Sequence, residues 1–297
     1  MSEPIISAKG LAKSYGRVRA LRGVNLDVQQ GEIFGFLGPN GAGKTTTIRC
    51  ILDMIRPNSG SLRVLGMDPQ MQSVSVRART GYLPGELAFE GNLTVQAGLR
   101  YLAQLRGNKV DWHYIHKLAE RLDLDLKPQF KNLSKGNKQK VGVLQALMHR
   151  PELLLLDEPT AGLDPLMQQE VLKMVRQANL DGATVFFSSH ILNEVQEIAG
   201  RVGIIRKGVV VETAKVQDLI HRSFRRVRFR LKEELKPGFL EGIPGVTILT
   251  QSPSSVTIQT EGEMDALIKA LAKLPVLDLE TERPSLEEIF MAYYKED

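Results

Sequence analysis

Phosphate chemistry is written into this 297-residue chain at two places, in a fixed order. The run GPNGAGKTT, Gly38 to Thr46, fits the pattern G-x-x-x-x-G-K-[ST] at every position. Gly38, Gly41 and Gly43, with Pro39, Asn40 and Ala42 between them, let backbone N–H groups curl around β- and γ-phosphates without obstruction from side chains. Lys44 is then placed to reach the β/γ oxygens, Thr45 to ligate Mg²⁺ and Thr46 to touch the α-phosphate. The run LLLLDE, Leu153 to Glu158, reads as a buried strand that delivers two carboxylates to its C-terminal edge, where ligands bind in α/β sheets. Asp157 suits Mg²⁺, and Glu158 suits a general base that polarises an attacking water. Each run has a bland alternative: a glycine-rich turn with a chance lysine, and a strand that ends in a surface acidic pair. Their coexistence in this order favours the chemical reading of both.

The elements that must position these residues are legible around them. IFGFLG, Ile33 to Gly38, is an apolar strand of the buried kind, and it runs through the glycine loop into a helix expected from Thr45 to Ile55, stopping at Arg56-Pro57. Upstream, Ile5 to Leu26 reads as short strands. Between about Gly85 and Arg150 the pattern is mostly helical: Leu99, Leu102, Ala103 and Leu105, then Leu118, Leu122 and Leu124, recur at helical spacing. Trp112 between them reads as a packing anchor before a ligand platform. LLLLD and TVFFSSH (Thr184 to His190) return as buried parallel strands separated by a helix from Pro165 to Ala178, and Val202 to Thr213 reads as a hairpin turning at Lys207-Gly208. Ser134 opens a further helix toward Met148, and a capped helix N-terminus is itself a ready anion site.

From about residue 221 the character changes, and 221–297 is expected to form a separate small α+β domain. RRVRFRLK alternates, with Val227, Phe229 and Leu231 on one face and Arg226, Arg228 and Arg230 on the other. The basic face suits a solvated strand surface first, anionic lipid or nucleic acid second. GVTILT and SVTIQT are strands around the polar turn QSPS, a helix is expected from Met264 to Leu274, and the tail SLEEIFMAYY is amphipathic.

The bulk composition fits a globular protein: 42% of residues are hydrophobic and 25% charged, enough of each for a real core and a solvated surface. A net charge of +5 is mild and identifies no partner. The single cysteine, Cys50, rules out an intrachain disulfide framework and reads as a packed core thiol rather than a reactive one. No stretch approaches the ~18 consecutive apolar residues of a membrane span, and no secretory signal opens the chain. A cytoplasmic chain is expected, with any membrane spans on another polypeptide.

With these motifs in place, residues 4–220 resemble the nucleotide-binding subunit of an ATP-binding cassette (ABC) transporter. The distinguishing element is LSKGNKQK, Leu133 to Lys140, which is similar to that family's LSGGQ signature. Ser134 and Gly136 match its key positions, while Lys135 and Asn137 depart from the commonest form. The resemblance implies a P-loop NTPase of the ABC ATPase fold: a parallel-sheet core with an antiparallel β subdomain and a helical subdomain at about 85–150. The ATP-binding domain would span 1–220. It further implies a head-to-tail pair, in which Ser134 and Gly136 meet the γ-phosphate of ATP held by the partner and Asp164 lies across the interface; with every site motif but the glutamine loop intact, a homodimer is expected. His190 matches the switch histidine that contacts the γ-phosphate, and Tyr15 the aromatic that stacks on adenine.

The family usually carries glutamine after the Leu-Pro of GYLPGEL, but this chain has Gly85, followed by Glu86. Glycine cannot ligate, so either Glu86 or water takes the Mg²⁺ contact, or the loop couples differently. Residues 221–297, closing on PSLEEIFMAYY, resemble the extension on ATPases of ABC-2 type exporters, where it stabilises or regulates the dimer. The resemblance therefore implies an ATPase with ATP and Mg²⁺ as ligands. It would work at the cytoplasmic face of the membrane, powering export through separate transmembrane permease subunits, with no nucleic acid expected. The alternatives are a soluble ABC ATPase acting on ribosomes, nucleic acid or an assembly, and a P-loop kinase, which should lack both LSKGN and the His190 switch.

Overall fold

The computed structural model describes residues 3–87, 91–107, 110–222, 225–236, 238–240, 242–260 and 263–282. It divides into two compact units, Met1–Ala214 and Lys215–Asp297. The division falls a few residues before 221, where the change in composition suggested it.

In chain order the first unit begins β1 (Ile6–Tyr15), β2 (Val18–Val28), β3 (Ile33–Leu37), α1 (Lys44–Ile51), β4 (Ser59–Val64), α2 (Ser73–Ala78) and β5 (Thr80–Leu83). Three helices follow, α3 (Val95–Leu105), α4 (Trp112–Arg121) and α5 (Lys135–Leu147), and they form the helical part of the fold. The unit closes with β6 (Leu153–Asp157), α6 (Pro165–Leu180), β7 (Thr184–Ser189), α7 (Leu192–Ile198), β8 (Arg201–Arg206) and β9 (Val209–Lys215).

Two sheets organise these elements. β1 lies between β2 and β4 in an antiparallel sheet of three strands. The central six-stranded sheet has the order β5-β6-β7-β3-β8-β9, and its first five strands are parallel to their neighbours. The P-loop NTPase architecture expected from the sequence is thus the one observed, with a parallel core, an antiparallel sheet and a helical part.

β3, β6 and β7 are buried at every residue, which is why they read as continuous apolar runs rather than alternating ones. Their aromatics hold the core. Phe34 stacks on Phe186 with ring centroids 5.8 Å apart, and Phe36 approaches the same ring at 5.2 Å. Each such ring contributes about 1.5–3 kcal/mol relative to exposure. Gly35 at mid-strand is required by close packing, since a Cβ there would lie 2.5 Å from Val195 Cγ1 on α7.

α1 stops at Ile51, one turn before the expected end at Ile55. Asp53 turns left-handed (φ 50), and the N–H groups of Asp53 and Met54 bond back to the carbonyls of Cys50 and Arg49, which is the Schellman way of ending a helix. The Arg56-Pro57 pair, expected to stop it, lies beyond a helix already capped. Cys50, on α1, is buried, and that burial pushes its thiol up to about 11, so it is an inert core group.

The second unit contains α8 (Val216–Arg222), β10 (Arg225–Leu231), β11 (Val246–Ser252), β12 (Ser255–Thr260), α9 (Asp265–Leu271) and β13 (Val276–Glu282). Its four strands pair in the order β11-β12-β10-β13. Val227, Phe229 and Leu231 are buried with Val256, Ile258, Leu267 and Leu271. α9 is shorter than the expected Met264 to Leu274, and β13 was not anticipated at all. It places Glu282, Glu280 and Asp278 opposite Arg226, Arg228 and Arg230. Arg230 pairs with Asp278 at 2.9 Å. The arginine face is therefore one rail of a cross-strand charge ladder rather than an open basic patch. The tail SLEEIFMAYY lies outside the described residues.

Candidate functional site

The glycine loop links β3 to α1. Gly43, the residue before α1, sits at φ 114, and a Cβ there would lie 2.8 Å from Ala20 O, so both conformation and space require glycine. Pro39, Asn40, Gly41, Gly43, Lys44, Thr45 and Thr46 line a cavity of about 140 Å³ together with Ala20 and Glu158. Gly38 and Ala42 are tucked behind it: a Cβ at Gly38 would come within 2.6 Å of Ile205 O, and Ala42 is buried. The N-terminal N–H groups of α1 have no partner within their own helix and carry partial positive charge, which suits anions. Lys44 is buried at 5% exposure, and its ammonium donates to Gly38 O at 2.6 Å and Pro39 O at 3.3 Å.

Three ionisable side chains, Lys44, Glu158 and His190, converge at the mouth of this loop. Glu158 Oε1 lies 3.5 Å from Lys44 Nζ and 3.1 Å from His190 Nδ1. Glu158 and His190 are partly open to solvent, whereas the Lys44 side chain is not. Glu158 itself stands in the left-handed region at φ 52, an uncommon conformation for a side chain of this kind. Its N–H donates to Ser188 O at 3.1 Å, which fixes it to β7.

Asp157, at the end of β6, is 1% exposed. Its Oδ1 accepts from the Ser188 hydroxyl, while its Oδ2 is buried without a hydrogen-bond partner. A buried, unpartnered carboxylate oxygen is costly unless something positive sits against it. That atom, with the Thr45 hydroxyl in the first turn of α1, is the donor set a hard divalent cation uses when substrate phosphates and water supply its other ligands. Among the described residues no group of three His, Cys, Asp or Glu side chains is placed to hold a metal ion by itself.

Ser134 caps α5, accepting from Asn137 N–H at 3.2 Å. The start of α5 packs on the turn after β6: a Cβ at Gly136 would lie 3.2 Å from Gly162 O, and the Lys135 stem crosses Gly162. Asp164 ends that turn and caps α6, accepting from Met167 N–H at 3.0 Å. Ser134, Gly136 and Asp164 thus share one surface, but none of them lines the glycine-loop cavity. Tyr15, at the end of β1, is 46% exposed with Lys13 Nζ 5.4 Å from its ring centre, and it lies outside that cavity too. Glu86 is exposed. Its neighbour Gly85 is the residue that faces Asp157, with its Cβ position 3.3 Å from Oδ2.

Three polar residues in this neighbourhood were not singled out from the sequence. Ser188 holds Asp157. Gln139, on α5, is 5% exposed and donates to backbone carbonyls after β6. Glu194, on α7, is also 5% exposed and accepts from the hydroxyls of Thr160 and Ser189, the latter at 2.8 Å. Burial pushes the Glu194 carboxyl above its ordinary value, and the two hydroxyls partly offset that. The available signal was polar residues inside otherwise apolar elements, such as the serines closing TVFFSS.

Residues 21–161 match the family described as ABC transporter. Residues 217–294 match the C-terminal domain of ATP-binding proteins of the DrrA1-3-like kind. The chain is similar to the bacitracin transport ATP-binding protein BcrA of Bacillus licheniformis, 37% identical over 241 residues, covering 78% of this chain and 76% of that one. It is 32% identical over 290 residues to YhaQ of Bacillus subtilis, an uncharacterized ABC transporter ATP-binding protein, covering 95% of each. Among solved structures it is similar to an ATP-binding subunit of an ABC transporter, with a TM-score of 0.67 and 28% identity over 72% of this chain and 91% of the other. The dimeric cassette MJ0796 shares the fold, with a TM-score of 0.62 at 23% identity over 71% of this chain and 98% of the other.

Proposed function

We propose that this chain, which belongs to the ABC transporter ATP-binding family and is an ATP-hydrolysing subunit of such a transporter, works as a head-to-tail pair that drives export. The membrane-spanning segments belong to separate permease subunits, and the chain sits against them at the cytoplasmic face. Among the described residues no helix is long and apolar enough to cross a membrane.

The observation that carries the hydrolytic part is the convergence of Lys44 and His190 on Glu158 at the mouth of the glycine loop. Backbone N–H groups of the glycine loop and the start of α1 cradle the phosphates, and Thr46 touches the α-phosphate. Lys44 exchanges its loop carbonyls for β/γ oxygens, where its charge offsets what develops in the transition state. Glu158 takes a proton from the attacking water. His190, whose Nδ1 lies 3.1 Å from that carboxylate, orients it and reaches the γ-phosphate. Thr45 and Asp157 would hold Mg²⁺, which when bound would neutralise phosphate charge, and Glu86 is a further candidate ligand. Tyr15 stacks on adenine. Ser134, Gly136 and Asp164, which share a surface away from the cavity, act on the nucleotide held by the second copy of the chain.

Transport is favoured by the similarity to the bacitracin transport ATP-binding protein, and export by the resemblance of the C-terminal extension, residues 217–294, to that of ABC-2 type exporter ATPases. Affinity purification from detergent-solubilised membranes tests the assignment. ATPase activity that comigrates with an integral membrane protein is expected. Activity that instead follows ribosomes or nucleic acid would favour the soluble-machine alternative.

A further inference from the structure

α5 touches the site at two places. Its N-terminus carries Ser134, and further along the same helix the buried Gln139 side chain reaches across to the turn after β6. Gln139 Nε2 donates to Glu158 O and to Pro159 O, both at 3.0 Å. These are the carbonyls of the left-handed glutamate and of the residue that follows it. Ala161 N–H adds a bond to Glu158 O at 3.1 Å, and one residue before it the Thr160 hydroxyl is held by Glu194 on α7. A glutamate at φ 52 persists only where its surroundings over-determine the backbone. Gln139 is the part of that restraint supplied by α5.

We propose that Gln139 is a positioning residue that ties the seating of the partner's nucleotide on α5 to the placement of Glu158 in the same protomer. The idea rests on the head-to-tail reading above. In that arrangement the N-terminus of α5 meets the ATP of the second copy, whereas Glu158 serves the ATP bound to its own chain. A shift of α5 against the partner's phosphate moves Gln139, and with it the two carbonyls that set where Glu158 points. Hydrolysis at each site then depends on occupancy of the other, with no group passing between them. The amide is suited to this because both of its N–H groups are used and its burial excludes competing water.

Gln139→Met keeps the shape and removes both donors. Gln139→Glu keeps the shape and, when ionised, sets a negative charge against two carbonyls; protonated, it donates once. The measurements are ATP affinity by equilibrium binding, steady-state kcat and Hill coefficient in ATP, and dimer formation by light scattering with Glu158→Gln in the background. For Gln139→Met the expected result is affinity within about twofold of wild type, kcat about 10- to 100-fold lower, a Hill coefficient falling to 1, and a retained dimer. For Gln139→Glu, activity relative to wild type recovers as pH is lowered from 8 to 6, a profile that a purely structural defect would not give. Wild-type kcat and Hill coefficient in Gln139→Met, or a pH-independent loss in Gln139→Glu, would overturn the proposal and leave the head-to-tail reading standing. A chain that stays monomeric with ATP in the Glu158→Gln background removes that reading, and this proposal with it.

Discussion

Glu158 combines the chemistry assigned to it with a backbone conformation that disfavours it, and the two can be separated by comparing Glu158→Ala with Glu158→Gly. Both substitutions remove the carboxylate and its approaches to Lys44 and His190, so those losses cancel in the comparison. What differs is the backbone at φ 52. Alanine retains the left-handed cost of about 1–2 kcal/mol, which glycine does not incur. Glycine loses more entropy on folding, about 0.5–1 kcal/mol against alanine at an ordinary position. At the middle of both ranges the net expectation favours glycine by about 0.75 kcal/mol, reversing the usual order of the two residues. For a unit of this size that is about 1–4 °C in melting temperature. Differential scanning calorimetry of the transition assigned to Met1–Ala214 measures it, and ATPase assays should find both variants about 10²- to 10⁴-fold slower than wild type. An alanine variant that melts at or above the glycine variant would refute the claim that Glu158 is held under strain.

Ser188→Ala removes the hydroxyl that holds Asp157 Oδ1, so the Mg²⁺ concentration for half-maximal ATPase should rise about 10- to 100-fold; an unchanged Mg²⁺ titration would remove Ser188 from the site. Glu86→Ala should alter the Mg²⁺ dependence if Glu86 replaces the family's glutamine, and an unchanged rate and metal dependence would leave water in that place. His149 is held down from 6.5 to about 4, first by burial and then by the Arg106 charge, against a weaker opposing bond from its ring to Thr80 O. Its unfolded form binds a proton at a pH where the folded form does not, so the stability it contributes is full above 6.5 and is lost as pH falls toward 4. Melting temperatures of His149→Asn across that interval should therefore fall less steeply than those of wild type.

Much of the site was legible because the glycine loop, the paired carboxylates and the buried strands are local signals. Gly43 needs its φ, β3 needs to be apolar on both faces, and Ser134 needs to cap a helix, so each leaves its mark within a few residues. The restraints on the site were not legible because they are long-range. Ser188 bonds Asp157 across 31 positions, Gln139 reaches Pro159 across 20, and Thr160 meets Glu194 across 34. A serine closing an apolar strand, and a glutamine and a glutamate in helices of mixed polarity, look like incidental polar residues until the fold brings their partners to them. β13 escaped notice for a related reason. VLDLETE reads as a strand chiefly because Asp278, Glu280 and Glu282 find the β10 arginines opposite. α1 ended early because Asp53 accepts a left-handed conformation that composition alone does not announce.

In the proposed mechanism a pair of these chains holds ATP between them, and Glu158 starts its hydrolysis. Light scattering of the purified Glu158→Gln chain with MgATP, with bound nucleotide quantified in the same fractions, tests it most directly. A dimer retaining two intact ATP molecules, with turnover at least ~100-fold below wild type, is the predicted result. A monomer that binds ATP, or near-normal hydrolysis by the variant, would contradict the account.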